Sequence, residues 1–458
     1  MKHYAYHYDI AVFGGGPSGL AAAVVAARSG KKVILLEKNG YLGGNLATGL
    51  PPLGFLDEHG RQCIAGFGQE FIDRLVARGQ CYGHRYCPKH NSISNLDAEG
   101  VKVLAIDMCR EAGVDILLHC ETQKVEVENR KIKSVLMYGK CNEILITAEI
   151  YIDCTGDGDV GYLAGCSYDM GRDGTNVLMP PTVMCTMENV DNTKLFDYIE
   201  EHPEEVVFSE TIDQKPGYDA AYFKASPNHI FVGMTVLFKR LREEGKLPVN
   251  RESMIVINGL HPGQVYINST RLLDTDATDI LDLTRAELDG QTQLPKLVEI
   301  FRQYVPGFEN CYISSVCANL GVRETRRLKG IRCMTLEEAM AAKVPEDSIC
   351  LSGYKMDIHN GKDCTTWFKT IDEPFGVPYG SLVSAEVDNL MFAGRCASVD
   401  AYVIGSTRVM SVCMCMGQAA AVGAAIAIDQ GIKPAQVDVT LVREELRRQN
   451  AILEMPAE

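Results

Sequence analysis

The stretch DIAVFGGGPSGLAAAVVAARSGKKVILLEK, Asp9–Lys38, constrains the fold of this chain more than any other. An apolar run, Ile10–Phe13, ends in three glycines. An Ala-rich segment follows, and a second apolar run, Lys32–Leu36, closes on Glu37. Strand, glycine turn, helix and strand in this order form a unit whose two strands run parallel. Gly14, Gly16 and Gly19 stand in the spacing G-x-G-x-x-G at its turn. The first allows a tight turn, the second lets a pyrophosphate approach the backbone, and the third lets the helix pack on the strand. Pro17 and Ser18 open the helix, whose free N–H groups and dipole favour phosphate oxygens. Glu37, followed by Lys38, is placed to hold two ribose hydroxyls, which favours NAD or FAD over NADP.

Three further segments favour FAD over NAD. KNGYLGGNLATGL puts Gly43, Gly44 and Asn45 just after the acidic residue, extending the backbone available to an elongated ligand. YIDCTGDGDVGYLAG, Tyr151–Gly165, carries Thr155, Gly156 and Asp157 at the end of an apolar strand. NLMFAGRCAS, Asn389–Ser398, places Gly394 and Arg395 after another. With GGGPSG, GVRETRRLKG, YKMDIH, PYGSLV and AGRCAS…GSTRVMSVCMCMGQAAA, in that order, these segments resemble the FAD-dependent oxidoreductase family distantly related to fumarate reductase and succinate dehydrogenase flavoproteins. The resemblance implies an α/β fold. It consists of a Rossmann-like FAD-binding domain of the glutathione-reductase type with an interleaved α+β substrate domain. FAD would lie along Gly14–Gly19, Glu37, Gly44 and Asn45, with Asp157, Gly394 and Arg395 further along. A helix from Ser406 would aim its N-terminus at the flavin. Two departures stand out: Gly380 replaces the Arg common in P-Y-R-S-L, and Ala401-Tyr402 replace a common His-Glu pair.

The length of 458 residues implies more than one domain. The expected division is 1–166 (FAD-binding, first part), 167–320 (substrate or cap) and 321–458 (return to the FAD domain). Helices are expected at 61–79, 98–112, 192–202, 234–245, 276–289 and 294–303, and residues 80–95 read as an irregular loop. Residues from about 114 to 154 read as a β-meander with turns at Glu128-Asn129 and Gly139. Val409–Ile428 is nearly long enough to cross a bilayer, but it carries Gln418 and lacks flanking aromatic and basic anchors, so a buried helix is expected. A net charge of −15 disfavours nucleic acid and anionic membrane as partners. Seventeen cysteines without a signal-peptide h-region or any C-x-x-C imply reduced thiols, a cytoplasmic setting and no metal site.

For chemistry, His359 is the first candidate acid or base, with Asp357 two residues earlier on the same face of a strand. Arg323, in a cluster with Glu324, Arg326 and Arg327, and Arg408 are candidate clamps for an anionic substrate. Tyr402 is a candidate proton donor, and Asn268–Arg271 is expected to line the pocket. These residues point to hydride transfer between flavin and a small organic molecule. A non-catalytic flavin sensor is the alternative from another class. A disulfide-reducing flavoenzyme is disfavoured because no cysteine pair stands near the glycine turn, and an RNA-modifying flavoprotein because the chain is acidic. Only one glycine fingerprint is present, so electrons are expected from a substrate, a small carrier or a partner rather than from NAD(P)H. A homo-oligomer is compatible with the sequence.

Overall fold

Two sheets and three buried apolar clusters organise the chain; the computed structural model describes residues 1–456 except 210 and 214. The first sheet has parallel strands in the spatial order Asp115–Leu117, Val33–Leu36, Lys2–Phe13, Asn142–Asp153 and Leu390–Phe392. Ile10–Phe13, Val33–Leu36 and Leu390–Phe392 are buried throughout, as parallel strands covered on both faces must be. The strand Lys2–Phe13 begins earlier than its apolar run, and its exposed first half pairs with the first half of Asn142–Asp153. The same long strand also receives the antiparallel meander Glu121–Glu128 and Lys131–Gly139. Its turns lie one residue beyond the expected Glu128-Asn129 and Gly139. Asn129-Arg130 and Lys140-Cys141 take positive φ at both central positions, the conformation that matches strand twist in a two-residue hairpin.

The helix Pro17–Arg28 packs between this sheet and the long helix Met410–Gln430. Their crossing is close because Gly417 lies directly on the Ser18 backbone, where a methyl group would collide with the Ser18 carbonyl. The Met410–Gln430 helix is long and apolar enough to cross a membrane, yet most of it is buried inside the protein. Small residues on every face (Ala419, Ala420, Ala421, Gly423, Ala424) let it be surrounded by other elements.

The second sheet is antiparallel: Ile230–Gly233, Met254–Asn258, Val265–Ile267, Cys185–Glu188 and Tyr312–Val316. Its cover includes Ile280–Tyr304, a single helix where two were expected, with Pro295 inside it. Gly290, in the gap between the two expected helices, is a contact: a methyl group there would collide with Val183. The helices Phe67–Ala77, Ala98–Ala112, Asn192–Glu201 and Thr235–Glu243 fall within the expected segments. Residues 80–95 contain a short hairpin, Arg85–Cys87 with Asn91–Ile93, rather than only loop. Its Cys87 and Ile93 are buried in the second sheet's core.

Candidate functional site

The three fingerprint glycines occupy three different environments. Gly14 has φ +95°, and a side chain there would strike the Cys154 backbone. Gly19 presses on the Gly14 carbonyl, bringing helix onto strand. Gly16 is extended, at φ −77°, and has nothing within 4 Å of the position a methyl group would take. The protein therefore has no packing reason for glycine at 16, whereas a phosphate approaching the helix N-terminus does need that space. Pro17 holds the first helical position, and Ser18 Oγ lies beside Gly394, which has φ +93°.

Glu37, 7% exposed, accepts a 2.6 Å hydrogen bond from the Gly15 N–H, and Asn39 donates to its other oxygen from backbone and side chain, both at 2.8 Å. The carboxylate is thus fixed at the end of its strand. Glu37 and Lys38 share a cavity with Gly14, Thr155, Asp157, Asp159 and Arg326. Asp153, fully buried, accepts from Thr155 and from the Gly161 N–H and so shapes the turn that carries Asp157. Asp157 accepts from Arg395 at 2.9 Å and from Thr325 at 2.8 Å. Burial opposes its ionisation, but Arg395 and Lys38 hold its pKa below the usual carboxylate value. A side chain at Gly156 (φ +83°) would meet the Arg395 guanidinium at 2.5 Å. Gly44 has φ +51° and abuts Gly16, and Asn45 lines a second cavity. A dinucleotide fits this row of residues: a cradle at Gly16, a fixed acid at the adenosine end, and an unpartnered Nη1 on Arg395.

The second cavity, lined in part by strands of the second sheet, holds most of the remaining candidates. Arg251, Arg271, Arg323 and Arg408 line it, with Asp357 and His359. Arg251 donates to the Thr270 carbonyl at 3.1 Å, and Arg323 to Thr182 Oγ1 at 2.8 Å and to the Pro180 carbonyl. Arg408 reaches Asp357 Oδ2 at 2.9 Å and its carbonyl at 3.0 Å. Burial, then the nearby Arg408 and Arg271 charges, push the Arg323 guanidinium down to about 9. Arginine stays charged at physiological pH, so this crowding favours an anion in the cavity. The Nε atoms of Arg271 and Arg408 are buried with no acceptor among the described residues. Apolar side chains including Leu50, Leu53, Val232, Ile255 and Phe368 line the rest.

Asp357 and His359 do share a strand face, in the hairpin Met356–His359 with Thr366–Lys369. His359 Nε2 lies 3.0 Å from Asp357 Oδ1. Arg271 Nη1 lies 3.4 Å and Thr366 Oγ1 3.2 Å from His359 Nδ1. An arginine can only donate, so Nδ1 accepts and Nε2–H donates to Asp357. Burial, reinforced by Arg323 and Arg271 and opposed by Asp357, pushes His359 down to about 3. The imidazole is neutral and both its nitrogens are engaged.

Several expected placements differ. The long helix does not begin at Ser406. A separate short helix, Ile404–Thr407, ends at Arg408, Val409 is extended, and the long helix starts at Met410. The break follows from packing, since Gly405 lies against the Asp357 backbone. Ser406 is fully buried and bonded to the Tyr354 carbonyl and Ser352, away from the cavity. Tyr402 also lies outside: its hydroxyl donates to Asp173 at 2.7 Å and its ring meets Trp367 in an outer groove. Of the arginine cluster, only Arg323 enters the second cavity. Arg326 bonds to Asp157 and Asp159, Arg327 to the Gly171 carbonyl, and Glu324 pairs with Arg172. Sequence reasoning missed Arg251, Lys89, His90 and Glu252 as lining residues. No spacing marks them, because their neighbours in the cavity come from distant segments.

A sequence model described as FAD dependent oxidoreductase matches residues 9–446. The chain is 56% identical to the cinnamate reductase of Clostridium sporogenes over 43 residues, 9% of the chain and 6% of that protein. It is 27% identical to the thiamine thiazole synthase of Pyrococcus horikoshii over 158 residues, 33% of the chain and 58% of that protein. Both matches span less than two thirds of the relative's length. Among solved structures, a geranylgeranyl bacteriochlorophyll reductase-like protein from Thermoplasma acidophilum aligns with a TM-score of 0.50 at 12% identity, covering 98% of this chain and 85% of that one. At that identity the likeness concerns the fold.

Proposed function

The chain belongs to the FAD dependent oxidoreductase family and its cofactor is FAD, and on that premise we propose that it moves a hydride between the flavin and a small organic anion held in the arginine-lined cavity. FAD, when bound, supplies the two-electron chemistry. Gly14, Gly16, Pro17, Ser18 and Gly19 receive its pyrophosphate, Glu37 and Lys38 its adenosine end. Gly44, Asn45, Thr155, Gly156, Asp157, Gly394 and Arg395 line its remaining length. The observation that carries the substrate class is the pair of buried, unmet Nε donors on Arg271 and Arg408 among the five guanidinium groups that line the cavity, Arg395 being the fifth. A carboxylate supplies acceptors to such donors at low cost, because their desolvation is already complete in the folded protein. Asp357 orients Arg408 and His359, and His359 in turn faces Arg271. The apolar wall takes the molecule's hydrocarbon or aromatic part.

The working division of the chain remains 1–166, 167–320 and 321–458, supported by the return of Leu390–Phe392 to the first sheet. Seventeen cysteines, all unpaired, support a reducing, cytoplasmic setting. Electrons come from the substrate or a small carrier. The test is titration of the FAD-loaded protein with benzoate, read in the flavin absorbance, alongside Arg408→Met. Saturable binding that weakens about tenfold or more in the variant is expected for loss of one charge-assisted bond. Equal binding by benzoate and uncharged benzamide, or no loss in the variant, would remove the anion from the reading.

A further inference from the structure

One basic side chain of the arginine-lined cavity has neither a carboxylate nor a carbonyl bonded to it among the described residues. Lys89 sits in the turn of the Arg85–Cys87/Asn91–Ile93 hairpin, is 5% exposed, and lines the cavity. Its Nζ has no hydrogen-bond partner among the described residues. Aromatic rings surround it instead, with the Phe208 centroid 3.5 Å and the Phe368 centroid 5.4 Å away. Ring faces attract an ammonium, but they replace only part of the hydration that burial removes.

Most other titratable groups of the cavity have partners; Tyr354, whose hydroxyl burial pushes up, and Cys364 also line it. His359 uses both ring nitrogens, and Asp357 is held by His359 and Arg408. His90 stands edge-on to Tyr218 and Phe368 with Nδ1 at 3.5 Å from Cys87 Sγ. The arginines cannot release a proton. Glu252, the remaining acid, is half-buried and its pKa is raised, chiefly by burial. Lys355, the nearest other ammonium on the neighbouring segment, is paired with Glu58 at 3.4 Å.

We propose that Lys89 is the proton-exchanging residue of this cavity, its amine taking a proton from, and returning it to, a hydroxyl or amino group of the bound molecule. This rests on the reading of the cavity as the substrate site. In the forward step an O–H or N–H bond of the molecule breaks, its electron pair stays on that atom, and the proton forms a third N–H bond at Nζ. The reverse step restores both, and no electrons are exchanged with the lysine. The site suits this role because an amine without a fixed partner can be neutral before binding and can turn to whatever acceptor or donor arrives. Burial, aided by the Lys355 charge and opposed by Cys87, Asp357 and Glu252, brings Lys89 down to about 7.

Competitive labelling of the FAD-loaded protein with trace acetic anhydride, from pH 5 to 11, reads each lysine separately by peptide mass spectrometry. The expected result is a labelling midpoint for Lys89 near 7, against about 10 for exposed lysines. Saturating benzoate should slow labelling of Lys89 and leave exposed lysines unchanged. A Lys89 midpoint at 10, or no labelling at any pH, overturns the proposal. Benzoate that binds without protecting Lys89 also overturns it while leaving the anion site intact. Benzoate that fails to bind sinks the anion reading instead, and the Lys89 midpoint then decides the proposal alone. Lys89→Met, in which the corresponding labelled peptide must disappear, confirms the peptide assignment.

Discussion

Replacing Gly16 by alanine separates cofactor binding from folding. Gly16 has an ordinary φ of −77° and open space around the position of an added methyl group, so the apoprotein has no clash to relieve. Losing a glycine from the unfolded chain stabilises by about 0.4–1 kcal/mol. Alanine is a poorer residue than glycine at a helix N-cap, which offsets a similar amount. The net change in apoprotein stability is therefore within about 1 kcal/mol, a shift of roughly 2 °C or less for a chain of this size. The pyrophosphate meets a different situation, because the methyl group stands where its oxygens approach the helix N-terminus. Loss of one hydrogen bond to a charged group costs about 1.5–3 kcal/mol, or roughly 10–100-fold in FAD affinity. The assay is thermal melting of apoprotein beside FAD titration followed by flavin fluorescence. Gly14→Ala is the contrast, since its φ of +95° and its contact with the Cys154 backbone make it a folding mutation. If Gly16→Ala binds FAD as tightly as the parent protein, the phosphate does not lie at Gly16 and the assignment of the cradle is wrong.

Three other outcomes follow from the arginine-lined cavity. Arg251→Met should weaken benzoate binding about tenfold while leaving FAD content unchanged, since Arg251 belongs to the guanidinium cluster and not to the glycine turn. His359 should remain neutral down to about pH 4 by NMR of ring-labelled protein. The unfolded chain takes up that proton near 6.5 and the folded one only near 3, so His359 contributes to a stability that falls as pH drops through this window. His359→Gln should flatten that decline, and an imidazole titrating at 6–7 in the folded protein would refute it. Lys89 shifts in the same direction but acts in a different range. Below pH 7 the folded protein carries the full cost of a buried ammonium, and the cost shrinks as pH rises toward 10.4. Lys89→Met should therefore raise the melting temperature most at pH 6 and least at pH 10, with at most about 5 kcal/mol at stake. A pH-independent effect would show that Lys89 is not destabilised by burial.

The nucleotide end of the site was legible because its chemistry is local. The positions of Gly14, Gly16 and Gly19 are fixed by a turn only a few residues long, and Glu37 follows from the end of the next strand. The arginine-lined end of the candidate site was only partly legible. His359, Asp357, Arg323 and Arg408 do meet in one cavity, but Tyr402 and Ser406 were assigned by proximity in sequence to a helix start that lies further on, at Met410. The break at Arg408–Val409 has no proline or capping signal and comes from the contact of Gly405 with a strand some fifty residues earlier. Arg251 and Lys89 escaped notice for the same reason: their surroundings come from Thr270 in one case and from Phe208 and Phe368 in the other. Burial of an unpartnered cation has no signature in a single sequence.

The return of the chain to its first sheet bears on how the protein is made. Leu390–Phe392 completes that sheet, and Gly417 seats the Met410–Gln430 helix on the first helix at Ser18. During synthesis, the apolar strands made first must wait for a cover that leaves the ribosome several hundred residues later. At an elongation rate of about 5–20 residues per second, this wait lasts tens of seconds. The second sheet, whose strands lie between Cys185 and Val316, can assemble meanwhile. Nascent chains halted before residue 410 should therefore be held by chaperones with the glycine turn already synthesised and unable to retain FAD. Growth temperature and chaperone supply would then set the yield of loaded protein more strongly than cofactor supply.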